Sequence, residues 1–393
     1  MIRGSTEFSD MSESMDSLLQ AHARTFHPPD AHKHLREFNM AEAADLMNMK
    51  VTTFRTHHAK LPEDLPQGEL TNANRRYFRL EEVHQLQDYL YSIGKISAKD
   101  YPRRQEGERT QIVSTFNLKG GVAKTSTVIH AATMFAARGY RVLLIDLDAQ
   151  ASVTNLLGLH PDQDPDMLTI YDAITFKDPV PIRDTIRTTY FPKLHLIPAS
   201  MQIMEFEFET ALSFQDRTGS TGSFQDRLRL QLETIQEDYD IILFDTPPAL
   251  NFAVLSSLFA STGVIIPVGA SMIDAMSLRS FLDMASGLIG TIEEQTSDHS
   301  FNFIKVLITK YEATDNPSVQ MAGFLRAALG SRVMGPEFVK STAISDAANT
   351  IQPLIEVDPR DMTRKTYDRA FDSVRRVTDE ILREIHRAWG RIE

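Results

Sequence analysis

Lys119-Gly120-Gly121-Val122-Ala123-Lys124-Thr125-Ser126 combines the residue types needed to hold a polyphosphate. Gly120 and Gly121 let the backbone turn its N–H groups toward phosphate oxygens. Lys124 places a cation between the β- and γ-phosphates, and the Thr125 hydroxyl is a ligand for Mg²⁺. Two acidic segments can complete such a site. Asp146-Leu147-Asp148 follows the apolar run Arg141–Ile145, and Asp245 follows Ile241-Ile242-Leu243-Phe244 and precedes Thr246-Pro247-Pro248. An apolar strand ending in Asp can deliver a carboxylate to a metal's water shell. The expected chemistry is phosphoryl transfer to water, in which positioning and charge neutralisation would supply most of the rate.

These residues act together only if the elements around them place them so. Ile112-Val113-Ser114-Thr115-Phe116 predicts a strand, Thr127 to Arg138 a helix stopped by Gly139, and Arg141–Ile145 a second strand. This is the frame of a phosphate-binding βαβ unit, with the helix N-terminus adding its positive end. A parallel arrangement puts the end of the second strand beside the loop. Asp146 and Asp148 then share a face if the strand runs that far. Further strands are predicted at 194–198, 240–245, 263–268 and 303–309, beside 111–117 and 141–146. Helices fall near 125–138, 224–237, 250–260 and 274–295, and a long helical pattern covers 361–389. The expected fold class is α/β, with a doubly wound, mostly parallel sheet of the P-loop type over residues 110–393.

Ahead of it, residues 38–93 have a different pattern. Asn39 to Met47 predicts a short helix, Asn48-Met49-Lys50 a turn, and Val51 to His58 a second helix. Ala43, Ala44, Leu46, Val51 and Phe54 would pack the pair, as in a helix-turn-helix. Lys50, Arg55, His57, His58 and Lys60 lie on the second helix and its ends, with no acid between Lys50 and Lys60. Lys50, Thr52, Thr53, Arg55, Thr56 and His57 are suitable for phosphate and base-edge contacts. Asn74 to Leu80 reads as a basic wing carrying Arg75, Arg76 and Arg79, and Glu81 to Tyr91 as a helix. The expectation is an α-helical winged helix-turn-helix DNA-binding domain; a helical dimerisation module fits the same pattern. Residues 94–109 read as a charged linker.

Composition narrows the classes. The 393 residues are 42% hydrophobic and 24% charged, with no cysteine and a net charge of −12. Disulfides, iron–sulfur clusters and thiolate zinc sites are excluded, and nucleic-acid contacts must come from local basic patches. No apolar run approaches the ~20 residues that span a bilayer, so a cytosolic protein is expected. Residues 1–10 read as an expression leader, with Met11 a native start. Residues 11–37 read as a polar arm with a short helical pattern around Met15 to Ala23. The spacing of His22, His27, His32 and His34 fits no metal-ligand pattern. Ser213-Phe214-Gln215-Asp216-Arg217 recurs as Ser223-Phe224-Gln225-Asp226-Arg227 and reads as a surface-loop expansion.

The loop departs from G-x-x-x-x-G-K-[ST], having Leu118 and Ala123 where that pattern has Gly. Its form K-G-G-x-x-K-T resembles the deviant Walker A loop of ParA/MinD ATPases. The N-terminal region resembles the MerR-like module of large ParA proteins, most like the RepA partition proteins of repABC-type plasmids. The resemblance implies that Lys119 crosses a homodimer interface to the partner's nucleotide. It implies a role for Asp148 in positioning the attacking water, with Asp146 and Asp245 acting around Mg²⁺. Thr246-Pro247-Pro248 resembles the second switch. Thr309 and Lys310, and Pro359 in the loop Glu356–Asp361, are expected on the base side of ATP or ADP. The family commonly has Gly where Ala123 stands; a methyl fits there if φ is negative.

The same resemblance implies a nucleoid-associated, DNA-segregating ATPase, weak until stimulated by DNA and a ParB-type centromere-binding partner, and also an autorepressor of its operon. Relatives bind non-specific DNA through basic residues in the C-terminal region, here Lys340, Arg364, Lys365 and Arg369, with Arg375 and Arg376 near them. Asp361, Asp368, Asp372 and Asp379 could instead balance these charges. Two alternatives remain open. One is a MinD-like membrane-positioning ATPase using the amphipathic face Val374, Val377, Ile381, Ile385, Ala388 and Trp389. The other is a transcription regulator that only senses nucleotide.

Overall fold

Strand–helix alternation from residue 110 onward resolves into one sheet covered by helices on both faces in the computed structural model, which describes residues 7–15, 18, 33–72, 74–214, 223–293 and 300–392. The chain divides into residues 1–35 and a second unit beginning at Arg36. In the first, residues 7–15 are helical and exposed. His22, His27, His32, most of the helical pattern expected at Met15–Ala23, and the first residues of the expected leader lie outside the described residues.

The second unit opens with β1 (Phe38–Asn39), α1 (Met40–Leu46), α2 (Val51–His58), β2 (Glu69–Leu70), β3 (Arg76–Phe78) and α3 (Leu80–Ser92). The three strands form an antiparallel sheet in the order β1-β3-β2. Asn39 and Glu42 form a reciprocal cap at the start of α1, satisfying amide groups the helix leaves open. Asn48 takes a left-handed φ of 53°, which ends α1 and lets α2 leave in a new direction. Phe54, Phe78 and the ring of His58 pack together with centroids 5.5–5.9 Å apart.

The sheet that follows comprises β4 (Gln111–Thr115), β5 (Val142–Asp146), β6 (Arg187–Thr188), β7 (Leu194–Ile197), β8 (Ile241–Asp245), β9 (Gly263–Gly269), β10 (Phe303–Tyr311) and β11 (Phe338–Val339). Their spatial order is β11-β10-β9-β4-β8-β5-β7-β6, parallel except for the β6–β7 pair. The central strands are buried along their whole length. Continuous apolar runs such as Val142–Ile145 suit a sheet covered on both faces.

The longer helices are α4 (Lys124–Ala137), α8 (Ile203–Ser213), α9 (Phe224–Glu233), α10 (Phe252–Ala260), α11 (Met272–Glu293), α12 (Asn316–Leu329), α13 (Thr342–Asn349) and α14 (Arg364–Ala388). Three short ones, α5 (Ser152–Leu156), α6 (Ile170–Ile174) and α7 (Ile182–Thr185), lie between α4 and α8. Helix α4 is buried almost all round, and α14 is among the elements packed on it.

The charged segment 94–109 and the N-terminal module both pack on the rest of this unit, and one sequence expectation changes. The charged segment 94–109 is docked: Arg104 donates to the Tyr239 and Glu108 carbonyls, and Glu108 forms a buried ion pair with Arg391. The expected N-terminal module is also packed on the rest. His84 Nε2 lies 3.1 Å from the Ala137 carbonyl and Gln87 donates to that of Arg138. Gly139 stands at φ 106°, which favours glycine, and a Cβ there would also come within 2.9 Å of Pro102 Cγ. Finally, the second Ser-Phe-Gln-Asp-Arg copy is not a surface loop. Ser223 caps α9, Phe224 is in the core, and the Arg227 guanidinium lies 3.7 Å from the Phe176 ring centroid. Residues 215–222 lie outside the described residues.

Candidate nucleotide site and nucleic-acid face

The loop from Asn117 to Ala123 joins β4 to α4 at the C-terminal edge of the sheet. Asn117 anchors it, donating to the Pro267 carbonyl at 2.7 Å and accepting from Lys119 N–H at 3.0 Å. Thr309, completely buried, donates to the Val122 carbonyl at 3.0 Å. Gly121 has φ 70°, and at Gly120 a Cβ would meet nothing within 4 Å, so the loop faces open space. Ala123 stands at φ 66°, ψ 34° at the N-cap of α4. The negative φ that would accommodate its methyl is therefore not adopted, and Ala123 carries the strain of a left-handed non-glycine residue.

Strand register assembles the acids. Asp245 lies opposite Thr115 of β4 on one side and Asp146 of β5 on the other. Asp146 is fully buried and takes three hydrogen bonds, from the Asp148 N–H and from the Thr154 N–H and hydroxyl. Burial pushes its pKa up to about 6. Asp245 is equally buried, but among the described residues neither carboxylate oxygen has a well-formed hydrogen bond; the Thr125 hydroxyl acts on it as a nearby donor. Burial first, then the charge of Asp146, raises its pKa well above the carboxylate range. A buried carboxylate with open lone pairs beside Thr125 suits a hard cation with oxygen ligands.

Lys124 is buried and donates to the Lys119 carbonyl at 3.2 Å. Burial lowers its pKa against the pull of Asp245 and Asp148. Half-buried Asp148 accepts from Gln150 N–H at 3.0 Å. Lys119 is ion-paired to Asp274. Burial raises the pKa of Asp274, but Lys119 and the Ser271 hydroxyl outweigh it and hold the carboxyl low. Asp274 was not identified from the sequence, although Ser271-x-x-Asp274 is a helix-start pattern.

A cavity of about 480 Å³ opens beside Ala123 and Ser126, bounded by Lys310, Phe338, Ser341 and Ile344. Lys310 is thus beside the loop, whereas Thr309 braces it from behind. Pro359 is not in the cavity lining, and its neighbours Asp358 and Arg360 are paired with each other. Lys340 lines the cavity and pairs with Glu312 at 2.8 Å.

The basic positions of the N-terminal module separate by exposure. Lys50, Thr52, Thr53, Arg55 and Thr56 are exposed around α2, with His57 half-buried beside them. His58 is instead part of the core: its Nε2 lies 3.1 Å from the Gln67 carbonyl, and burial lowers its pKa. Arg76 donates to Gln67 and Gly68 carbonyls, tying the hairpin together. Arg75 and Arg79 are exposed. Along α14, Arg364 pairs with Asp368, Arg375 and Arg376 with Asp372, and Arg138 with Asp379. Among the described residues Lys365 and Arg369 are exposed and in no ion pair. The apolar face Val374, Val377, Ile381 and Ile385 is buried. No helix among the described residues is long and apolar enough to cross a membrane.

A parallel sheet with a phosphate loop at its C-terminal edge, two loop lysines and a buried acid opposite them define a P-loop nucleotide-binding protein. A family model described as an AAA domain matches residues 110–297. A protein that carries the name replication protein A in Rhizobium rhizogenes is 39% identical over 383 residues, covering 97% of this chain and 94% of its own. The chromosome partitioning protein ParA of Caulobacter vibrioides is 29% identical over 250 residues, 63% of this chain and 87% of its own. A solved structure named Partition Protein, 18% identical, matches with a TM-score of 0.66 over 99% of this chain and 100% of its own, a likeness of fold. The chain belongs to the ParA/MinD-type family of P-loop ATPases, among its replication protein A members.

Proposed function

We propose that this protein hydrolyses ATP as a DNA-segregation switch. The observation that carries the reading is Asp245, buried with open lone pairs beside Thr125 at the end of a loop bearing both Lys119 and Lys124. Lys124 and the amides of residues 120–125 would bind the phosphates, and Thr125 and Asp245 would hold Mg²⁺, with Asp146 behind them. Bound there, Mg²⁺ supplies charge neutralisation for the breaking phosphate bond. Asp148 orients the water, and ATP and water become ADP and phosphate. Lys119 reaches the nucleotide of a second copy, so hydrolysis loosens the homodimer. Lys310 and Pro359 complete the base side.

The N-terminal module is read as a winged helix-turn-helix that places α2 against operator DNA and represses the protein's own operon. Lys50, Thr52, Thr53, Arg55, Thr56, Arg75 and Arg79 are exposed for this role. Lys365 and Arg369, with Lys340 and Arg364, form the surface for non-specific DNA in the ATP-bound dimer. Relatives named for partitioning support a DNA-segregating role, and with it a ParB-type stimulating partner and a nucleoid-associated location. The membrane alternative loses its surface, because the apolar face of α14 is packed inside.

The test is binding to random-sequence duplex DNA without nucleotide, with ADP and with ATP–Mg²⁺. Tight, salt-sensitive binding only with ATP–Mg²⁺ supports the switch. Binding indifferent to nucleotide shifts the reading to a regulator with one DNA surface.

A further inference from the structure

His130 connects the phosphate-loop helix to a segment far along the chain. Its Nδ1 lies 2.6 Å from the Ser126 carbonyl oxygen, and its Nε2 accepts from Leu354 N–H at 3.3 Å. The two partners define the ring: Nδ1–H donates and Nε2 accepts, which only the neutral tautomer can do. Burial holds His130 in that neutral form by lowering its pKa to about 4. The ring also meets that of Phe338, centroids 5.9 Å apart. Ser126 and Phe338 both line the cavity beside the loop, so His130 stands directly behind it.

The far side of the same segment meets the N-terminal module. The carbonyl of Ile355, next to Leu354, accepts from Arg36 Nε at 2.8 Å. Arg36 Nη2 pairs with Glu42 Oε1 at 2.8 Å, and Glu42 Oε2 accepts from Asn39 N–H at 2.8 Å. The Arg36 guanidinium lies over the Phe38 ring, 4.6 Å from its centroid. Hydrogen-bonded or adjacent groups therefore run unbroken from Ser126 through His130, Leu354, Ile355, Arg36 and Glu42 to the cap of α1.

We propose that His130 and Arg36 are positioning residues of a relay through which nucleotide in the phosphate loop changes the order of α1. This rests on the nucleotide site proposed above and gives it a route to the DNA-binding module. Helix α4 begins at strained Ala123, so phosphates held by the loop amides act on the turn that includes Ser126. The ring is rigid and bonded at both edges, so movement of that turn displaces Leu354 and Ile355. Arg36 carries the displacement to the cap of the first helix.

Hydrogen exchange at residues 39–47 tests the relay, with and without a non-hydrolysable ATP analogue and Mg²⁺. In the wild-type protein the analogue changes exchange there. Arg36→Lys keeps a cation for Glu42 but loses the planar Nε donor to Ile355. His130→Asn keeps a donor near Ser126 but cannot reach Leu354. Both are expected to bind a fluorescent analogue within about threefold of wild type, roughly 0.7 kcal/mol, and to lose the change at 39–47. A wild-type protein without that change overturns the relay, as do variants that bind nucleotide and keep it. If the change is present and sensitive to both variants but DNA binding ignores nucleotide, the relay stands and the DNA-switch reading fails.

Discussion

Lys119 of the phosphate loop is ion-paired with Asp274 of its own chain, near the start of α11. The Ser271 hydroxyl holds the same carboxylate at 2.6 Å, and Asp274 N–H donates back to it at 3.2 Å. In the proposed dimer, Lys119 would have to leave this pair to act on the nucleotide of a second copy. A partly exposed pair of this kind is worth about 0.5–1 kcal/mol. Asp274→Asn should therefore strengthen ATP-dependent self-association about two- to fivefold, read by sedimentation across a concentration series. Unchanged or weaker association in this variant would show that the pair does not restrain Lys119.

Ala123 holds a left-handed conformation that its methyl group disfavours by about 1 kcal/mol. Ala123→Gly should raise the melting temperature by up to about 2 °C and retain nucleotide binding. Ala123→Val, β-branched at φ 66°, should melt lower and bind ATP at least tenfold more weakly, a cost of about 1.4 kcal/mol. A destabilised glycine variant would mean that the methyl's packing outweighs its strain.

Asp245 should give the nucleotide-free protein an unusual pH dependence. Its folded pKa is raised, first by burial and then by Asp146, whose own value is about 6. Folding therefore takes up a proton between the unfolded and folded pKa values. The associated stability is complete below the unfolded carboxylate value and is lost as pH rises through the folded one. Asp245→Asn should raise the melting temperature at pH 8 by about 2 °C or more, with the gain shrinking at pH 5. It should also abolish Mg²⁺-dependent hydrolysis. A pH-independent gain would place the titration elsewhere.

Lys124→Ala should abolish ATP turnover, because it removes the cation that the loop brings toward the phosphates. Turnover like that of the wild type in a steady-state assay would remove Lys124 from the site.

Arg55 and Arg76 should separate recognition from folding. Arg55 is exposed on α2, so Arg55→Ala should weaken operator binding by about 1–3 kcal/mol if the guanidinium reads a base, or flatten the salt dependence if it meets a phosphate. Its melting temperature should be unchanged. Arg76→Ala removes hydrogen bonds that tie the hairpin and should lower the melting temperature. Equal losses of stability in the two variants would argue against α2 as a DNA face.

Much of this protein is legible in the order of its residues. The six central strands and the helices at 124–137 and 364–388 follow from apolar runs and periodicity. Other elements escape for identifiable reasons. Two-residue strands such as Phe338–Val339 are too short to show a period. In Met204-Glu205-Phe206-Glu207-Phe208, apolar and acidic residues alternate as in a strand, yet tertiary packing makes this segment helix α8, with Phe206 buried and Phe208 exposed.

The loop lysines, Thr125 and the acids at the strand ends could be read from local spacing, because a phosphate loop is a local device. Tertiary structure alone decided which acid retains open lone pairs. Parallel register sets Asp146 beside Asp245, and Thr154, eight residues on, then takes up Asp146 and leaves Asp245 open. Contacts distant in sequence decided the rest: Asp274 on Lys119, Leu354 on His130, and Gln87 against Arg138. Such pairings leave no periodic mark in the chain, since they depend on where whole elements come to rest.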